Sequence, residues 1–358
     1  MNRNFNYDFI RASTIFVIVL SHVSQMTMPH DYVYSFIEIG KFSIEMFFCL
    51  SGYLVGTLYW REYKKTGTVD LWWFWLRRWS RTFPLYYIFL AISFLSVYIT
   101  RQEAFSWQYL VFLQNYFVEI PFFLVSWTLC IEEHFYVFIP LLLSLLLIKR
   151  NIKLVLAVGI VMAFLPMIFR VYEITQVNGA IIPFGYHVTA SHLRFDGLVL
   201  GVFFAYFSVY NIPIRLPKLR YLCLISLAVI FSSFFFDKEQ FYVYGYFAVA
   251  FCLAMVIYAL RNREFRIPER LMQFYQYSAL SSYTLFLSHP LIIHFSLKLL
   301  KAVHIENELA KFSITLLLIF ISTYVIYQFF ELKLLDWRDK YVPARKPSFL
   351  GKQPIRNN

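Results

Sequence analysis

An arginine and a histidine stand inside the first apolar segment of the chain. Arg11 and His22 are eleven positions apart. On an α-helix this spacing is almost three turns, so both side chains would lie on one face, about 16 Å apart along the axis. A fixed cation and a titratable base within a membrane span are costly and commonly functional. The structural alternative is that Arg11 reaches the inner headgroups and His22 hydrogen-bonds a neighbouring helix.

Ionisable side chains from four predicted spans lie at similar depths. With a rise of about 1.5 Å per residue and a hydrocarbon core about 30 Å thick, the levels agree to within about one helical turn for His22, Glu45, Glu133 and His289. An unpaired charge at such a depth costs several kcal/mol, so these groups are expected to face each other or a polar cavity. Their convergence indicates a functional site.

Two adjacent acids, Glu132 and Glu133, have no basic partner in their own predicted span. Both fall on one helix face with Leu129 and Tyr136, because the spacing is i, i+3, i+4, i+7. The pattern implies that the two carboxylates share one partner on another helix.

Structural explanations exist for other members of the set. Glu45 could pair with Lys41 one turn away, and His289 could be a polar residue tolerated beside a proline that already disturbs the helix. Arg194 and Asp196 lie near the predicted outer end of a span, where they either contact headgroups or line an entrance.

The segment from Arg61 to Arg81, predicted as a loop, interleaves tryptophans with arginines. Part of this pattern is typical of an interfacial aromatic belt. The functional interpretation adds an anion site, since guanidinium groups bind phosphate bidentately, and Arg77, Arg78 and Arg81 could hold an adenine nucleotide carrier such as coenzyme A.

The composition places the chain among polytopic membrane proteins. Of its 358 residues, 59% are hydrophobic and only 15% are charged. The four cysteines lie in apolar runs without metal-like spacing, so neither a disulfide framework nor a metal site is expected. The net charge of +12 comes from scattered basic residues without a nucleic-acid-binding motif, so nucleic acid is not an expected partner.

The predicted fold class is an all-α membrane helix bundle of about ten spans. Most Lys and Arg residues fall in alternate connections, which by the positive-inside rule predicts that both termini are cytoplasmic. We predict one transmembrane domain over residues 1–341 and a basic tail over 342–358, with residues 101–123 as a re-entrant or interfacial segment. The predicted spans are 9–28, 36–58, 82–100, 124–148, 152–170, 192–210, 219–236, 241–260, 278–300 and 309–333.

Six ordered sequence blocks resemble acyltransferase family three, a family of integral-membrane acyltransferases that includes O-acetyltransferases of bacterial surface polysaccharides. Three residues depart from the family's pattern: Phe9, where the family usually has Gly; Glu45, where it usually has Asp; and His134, where it usually has Gln. The blocks are Asp8 with Arg11, Ala12 and His22; Glu45 to Tyr53; Phe74 to Pro84; Ser126 to Tyr136; Arg194 to Gly201; and Ser282 to Pro290.

The resemblance implies an O-acyltransferase of the bacterial inner membrane. It would move an acyl group, acetyl in the simplest case, from cytoplasmic acyl-CoA to a hydroxyl of a cell-surface or lipid-linked saccharide. In the implied site His22 is the general base, and Glu133 or Glu132 orients it. The coenzyme A phosphates would be bound by four arginines, Arg11, Arg77, Arg78 and Arg81. The remaining members would contact the substrate or stabilise the oxyanion, and they are Glu45, Arg194, Asp196 and His289.

A transporter is the alternative function. In a proton-coupled transporter or flippase of a polysaccharide precursor, the same buried acids and histidines would carry protons. The sequence contains neither a repeat between its two halves nor paired broken helices, and this disfavours a transporter. The expected partners are acyl-CoA, a saccharide acceptor and membrane lipids, and a homo-oligomer is left open.

Overall fold

The computed structural model describes residues 4–148, 151–177, 186–232, 235, 237–265 and 267–343, in which all regular structure is helical. Fourteen α-helices follow one another in these residues. They are α1 Phe5–Thr27, α2 His30–Thr66, α3 Leu71–Arg101, α4 Trp127–Leu147, α5 Ile152–Val177, α6 Tyr186–Thr189, α7 Asp196–Val209, α8 Leu219–Ser232, α9 Lys238–Gln240, α10 Tyr246–Leu260, α11 Glu269–Leu280, α12 Ser282–Ala302, α13 Glu308–Ile326 and α14 Leu332–Tyr341.

The helices form a polytopic bundle, which confirms the predicted fold class. In the described residues, eight helical segments are long and apolar enough to cross a membrane. Three of them are composite. π-Helical turns at Phe241–Gly245 and Tyr327–Glu331 join α9 to α10 and α13 to α14, and the 3-10 helix Leu124–Ser126 precedes α4 in a third. The predicted spans at 192–210 and 219–236 correspond to α7 and α8, each of 14 residues and so only about 21 Å long. The count of ten spans and the cytoplasmic termini remain predictions.

Helices α2 and α7 cross with their backbones in contact. A Cβ atom added to Gly52 would lie 2.1 Å from the carbonyl oxygen of Leu198, and one added to Gly201 would lie 2.3 Å from that of Cys49. No side chain fits at either position. Small residues allow this close approach in membranes, where helix association depends on packing because lipid offers no hydrophobic driving force. The crossing fixes α2 against the polar start of α7.

The segment predicted to be re-entrant or interfacial folds into the protein. Its buried Asn115 donates from Nδ2 to the Thr189 carbonyl and to Ser191 Oγ, each at 2.9 Å. Residues 102–123 contribute no spanning helix. The segment and the start of α4 carry three short 3-10 helices, at Trp107–Val111, Gln114–Tyr116 and Leu124–Ser126. This polar backbone is accommodated because protein side chains, rather than lipid, satisfy it.

The prediction of a loop over residues 61–81 was wrong. Helix α2 continues to Thr66, and only residues 67–70 connect it to α3. Gly67 ends α2 in the left-handed conformation, with φ 75°, and the Asp70 side chain begins α3 by accepting a hydrogen bond from the Trp73 amide at 3.0 Å. Arginines interrupt the apolar run but not the helix, so the arginine-rich segment forms the first turns of α3.

Of the predicted basic tail, only Val342 and Pro343 lie within the described residues. Val342 is buried and its amide bonds back to the Arg338 carbonyl at 2.6 Å. The prediction for the remaining tail, 344–358, lies outside the described residues.

Candidate active site

His22 on α1 contacts His289 on α12. Nδ1 of His22 lies 2.8 Å from Nε2 of His289, and the two rings are nearly parallel, with centroids 5.1 Å apart. His289 is fully buried, whereas His22 is half-buried. Two of the predicted site residues are therefore brought together, from helices that pack directly on each other.

The second nitrogen of His289 determines the direction of this hydrogen bond. Nδ1 of His289 lies 3.0 Å from the Leu285 carbonyl oxygen, and a carbonyl only accepts, so Nδ1 carries the hydrogen. In a neutral imidazole Nε2 is then the acceptor, and His22 must donate its Nδ1 hydrogen to it. With both rings neutral, Nε2 of His22 has an unshared lone pair.

The two adjacent acids of α4 share a partner, as their spacing predicts, and that partner is Arg78. Its guanidinium nitrogens lie 3.9 Å from Glu132 Oε2 and 3.8 Å from Glu133 Oε1. The same guanidinium lies over the Tyr136 ring, 3.1 Å from its centroid, and the Tyr136 hydroxyl donates to Glu132 at 2.8 Å. One guanidinium thus faces both carboxylates, and the Tyr136 hydroxyl adds a hydrogen bond to one of them.

The expected contact between these acids and His22 is not among the interactions of the described residues. His289 occupies the position beside His22 Nδ1 that was assigned to Glu133 or Glu132. Both carboxylates are turned towards Arg78, so the neighbour of His22 Nδ1 is His289 and neither acid.

Arg11 and Arg81 extend the charged cluster towards the expected cytoplasmic side. Arg11 lies within electrostatic reach of Glu132 and Arg78, and Arg81 within reach of Arg11 and Glu331. Three arginines and three glutamates are therefore close together in the bundle. We call this set the arginine cluster; its members are Arg11, Arg78, Arg81, Glu132, Glu133 and Glu331.

Glu331 was missed by the sequence reasoning. It is 2% exposed and accepts a hydrogen bond from Thr284 on α12. The sequence offers one signal, an acid just before the end of a long apolar run, but that position suggested the water-exposed end of the span. The helix instead continues to Tyr341, and Glu331 closes a π-helical turn, a distortion frequently found at functional sites.

Several polar atoms of the arginine cluster have no hydrogen-bond partner among the described residues. They are Nε of Arg11, Nε of Arg78, Oε2 of Glu133 and Oε1 of Glu331. Buried polar atoms without partners are rare in folded proteins. Unused guanidinium donors in particular suit a phosphate or carboxylate ligand.

Arg77 lies apart from this cluster. Its guanidinium donates to the Val342 carbonyl at 2.6 Å and lies 3.7 Å from Asp339. Successive side chains on a helix point about 100° apart, which separates Arg77 from Arg78. Arg77 therefore ties α3 to the end of α14, and its predicted place among phosphate ligands is not supported.

The predicted substrate contacts Glu45, Arg194 and Asp196 belong to buried ion pairs. Arg194 donates to Glu45 across the α2–α7 crossing, and Arg170 on α5 donates to Asp196 at 2.9 Å. All four residues are at most 1% exposed. These pairs connect α2, α5 and the start of α7. Arg170 is the member that the sequence reasoning missed, and the role of the other three as substrate contacts stays a prediction.

The alternative partner for Glu45 is also excluded by the geometry. Lys41 pairs with Glu38 at 2.7 Å in the first third of α2. Glu45 turns inward because it lies one turn further along the helix, where Arg194 provides the compensating charge.

The family model of the acyltransferase domain matches residues 4–328. The chain therefore belongs to acyltransferase family three. It is similar to a protein of Staphylococcus aureus strain MRSA252 named "Putative O-acetyltransferase SAR0937", with 24% identity over 94% of this chain and 59% of the relative. It is also similar to O-acetyltransferase OatA of S. aureus strain NCTC 8325, with 26% identity over 70% of this chain and 44% of the relative.

The chain thus spans about three fifths of the length of the first of these curated relatives and less than half of the second. No solved structure matches the chain.

Proposed function

We propose that this chain is a membrane-bound O-acetyltransferase. It takes an acyl group from acyl-CoA on the cytoplasmic side and transfers it to a saccharide hydroxyl. Membership of acyltransferase family three supports the reaction class. The observation that carries the proposal is the hydrogen bond from His22 Nδ1 to His289 Nε2, because it leaves His22 Nε2 available as a base.

His22 is the general base in this proposal. Its Nε2 accepts the proton of the acceptor hydroxyl while the hydroxyl oxygen attacks the acyl carbonyl carbon. When the carbon–sulfur bond breaks, His22 returns this proton to the departing sulfur, so that coenzyme A leaves as a thiol and His22 is neutral again. The charge that develops on the His22 ring is shared with His289 through the existing Nδ1 hydrogen bond. His289 is a positioning residue, since it holds the ring and its tautomer without contacting the reacting atoms.

The arginine cluster is the proposed binding site for the anionic part of the donor. The unsatisfied Nε atoms of Arg11 and Arg78 fit a phosphate-bearing ligand. When bound, acyl-CoA supplies an activated thioester. Arg11 lies about 16 Å along α1 from His22, so a donor held by the arginines would extend along the bundle to reach the histidines.

The test uses membranes containing the chain, radiolabelled acetyl-CoA and the endogenous saccharides of those membranes. Wild type should transfer label into a saccharide fraction that mild base releases as acetate, and His22→Ala should lose about two to four decades in rate. The matched control is His294→Ala, because His294 is exposed on α12 and should leave the rate unchanged. Undiminished transfer by correctly inserted His22→Ala would refute the assignment of His22, whereas absence of transfer by wild type would refute the activity.

A further inference from the structure

The guanidinium of Arg78 lies flat on an aromatic ring. Its Cζ atom is 3.1 Å from the centroid of the Tyr136 ring. An N–H directed at the ring would place Cζ about 4 Å away or more, because the C–N bond adds about 1.3 Å to an N-to-ring contact of about 3 Å. The guanidinium therefore stacks on the ring, and its N–H groups point outward, parallel to the ring plane.

These N–H donors are not used by the described residues. The nearest carboxylate oxygens, on Glu132 and Glu133, lie 3.9 and 3.8 Å from the guanidinium nitrogens, beyond hydrogen-bond distance, and Nε of Arg78 has no partner. Arg170 is the contrasting case, since it donates to two backbone carbonyls and to Asp196. A structural arginine thus uses its donors within the protein, whereas Arg78 keeps its donors available.

Arg78 is also accessible to a ligand. It lies two turns into α3, and its side chain is 24% exposed, whereas Tyr136 beneath it is fully buried. The ring thus holds the cation from the interior side and leaves the outer edge of the guanidinium open. A planar cation with a free N–H edge suits bidentate binding of a phosphate.

Two hydrogen bonds fix the Tyr136 ring in this position. Its hydroxyl donates to Glu132 Oε1 at 2.8 Å. Because the hydroxyl has only one hydrogen, its contact with the Ser51 hydroxyl has Ser51 as the donor. Ser51 precedes Gly52, at which α2 crosses α7. The ring is therefore tied both to α4 and to the α2–α7 crossing.

We propose that Tyr136 is a positioning residue for the donor: it holds Arg78 by the face of the guanidinium and so keeps the N–H edge free for a phosphate of coenzyme A. The inference rests on the proposed function, in which the arginine cluster binds the anionic part of acyl-CoA. Without the ring, Arg78 would turn its N–H groups to Glu132 and Glu133, which lie just beyond hydrogen-bond distance. The donor would then have to break those bonds in order to bind.

The test measures the dissociation constant of radiolabelled coenzyme A from purified protein, together with KM and kcat for acetyl transfer. Tyr136→Phe keeps the ring and should bind coenzyme A within about threefold of wild type. Tyr136→Leu remains apolar but removes the ring face, so the dissociation constant and KM should rise about tenfold while kcat changes little.

The matched control is Tyr59→Leu. Tyr59 is also buried, and its hydroxyl contacts a serine, Ser144, at 2.9 Å, but its ring packs against Trp60. Its loss should leave the dissociation constant of coenzyme A unchanged. The comparison separates the effect of removing any buried tyrosine from the effect of removing the ring under Arg78.

A fluorinated series keeps the proposal testable if Tyr136→Leu folds poorly. Phenylalanine, difluorophenylalanine and trifluorophenylalanine at position 136 have nearly the same shape, but fluorine weakens the attraction between the ring face and a cation. The dissociation constant of coenzyme A should rise stepwise along the series. In a double-mutant cycle, Tyr136→Leu should add less than about twofold in an Arg78→Ala background, because the two residues act as one unit.

The outcomes separate this inference from the proposed function. Absence of coenzyme A binding by wild type would refute the donor site itself, and the inference with it. Binding that Arg78→Ala weakens but the fluorinated series leaves unchanged would overturn the role of Tyr136 alone. A tenfold loss in Tyr136→Leu that persists in the Arg78→Ala background would also overturn it, because the ring would then act independently of Arg78.

Discussion

Nδ1 of His22 and Nε2 of His289 lie 2.8 Å apart although the two residues are separated by 267 positions in the chain. The contact joins α1 to α12 and fixes which nitrogen of His22 is free. Since Leu285 contributes only a carbonyl oxygen, the whole arrangement depends on His289 presenting an acceptor at its Nε2 position.

The activity of His289 variants should therefore depend on whether the new side chain places a hydrogen-bond acceptor where Nε2 lies. The amide oxygen of Gln can occupy the place of Nε2, whereas that of Asn falls short, so His289→Gln should retain more activity than His289→Asn, and His289→Phe should lose about two decades or more in kcat. Initial rates of acetyl transfer measure this. The supporting readout is the ¹⁵N spectrum of His22, in which wild type and His289→Gln should carry the hydrogen on Nδ1; equal rates for all three variants would contradict a positioning role.

Substitutions at Arg11 should weaken donor binding, whereas substitution of Arg77 should leave it unchanged. Arg11→Lys should raise the apparent KM for acetyl-CoA because an ammonium cannot make a bidentate phosphate contact, and Arg11→Ala should raise it further. Arg77→Ala should leave it unchanged, because Arg77 binds the Val342 carbonyl. Direct binding of labelled acetyl-CoA to purified protein is the measurement. Normal binding by Arg11→Ala would restrict Arg11 to anchoring the helix.

Removing the Glu45 carboxylate should destabilise the fold. Glu45→Ala leaves the buried Arg194 without its paired acid, a change that typically costs about 3–5 kcal/mol. The thermal midpoint in detergent, followed by size-exclusion fluorescence, should fall clearly. Lys41→Ala is the control, since its pair with Glu38 involves a side chain that is 42% exposed, and such pairs contribute about 0–1 kcal/mol. Equal midpoints for the two variants would argue against a structural role for the buried pair.

Substitution by alanine should have different effects on stability at Gly201 and at Gly159. In Gly201→Ala the new Cβ would lie 2.3 Å from the Cys49 carbonyl oxygen, whereas in Gly159→Ala its nearest neighbour is the Phe203 ring at 3.5 Å. The first should therefore force α2 and α7 apart, at a cost of about 1–3 kcal/mol or more, and the second should be tolerated. Yields of monodisperse protein and thermal midpoints compare them; a stable Gly201→Ala would disprove the close crossing.

The predicted sidedness can be measured with single cysteines in a Cys223→Ser background, because Cys223 is the exposed native cysteine in the described residues. An impermeant thiol reagent added to intact cells should label Val118→Cys, whose native side chain is 73% exposed, and should not label Gly67→Cys in the α2–α3 connection. Both should react in permeabilised cells. The opposite pattern would invert the topology and exclude cytoplasmic entry of the donor.

The depth of each ionisable side chain in the membrane could be predicted from the sequence, but the neighbouring helix that it faces could not. A rise of about 1.5 Å per residue was sufficient to place His22 and His289 at one level. The i, i+3, i+4, i+7 pattern of Leu129, Glu132, Glu133 and Tyr136 gave the two acids a common partner, as the structure has it. Which helices are neighbours depends on packing between distant segments. For that reason the partner of His22 was expected on α4, whereas His289 on α12 contacts it. The pairing of Glu45 with Arg194 was not anticipated for the same reason.

The remaining errors concern where helices end. A count of apolar residues stops at the first arginines and at the last leucines, but α3 begins with arginine-bearing turns and the α13–α14 helix continues beyond Glu331 to Tyr341. In both cases charged side chains turn inward to the arginine cluster, where opposite charges compensate them. A pattern based on hydrophobicity alone has no means of detecting that compensation.

The contact of Gly52 and Gly201 also restricts how the bundle can move. Side-chain contacts between helices can be exchanged by rotamer changes, but the α2 and α7 backbones touch directly and cannot slide past each other without a collision. We therefore expect α2 and α7 to move together as one rigid body. Any opening around a substrate should instead occur between helices that meet through side chains. One such junction lies between α3 and the end of α14, where Arg77 makes a single hydrogen bond to the Val342 carbonyl.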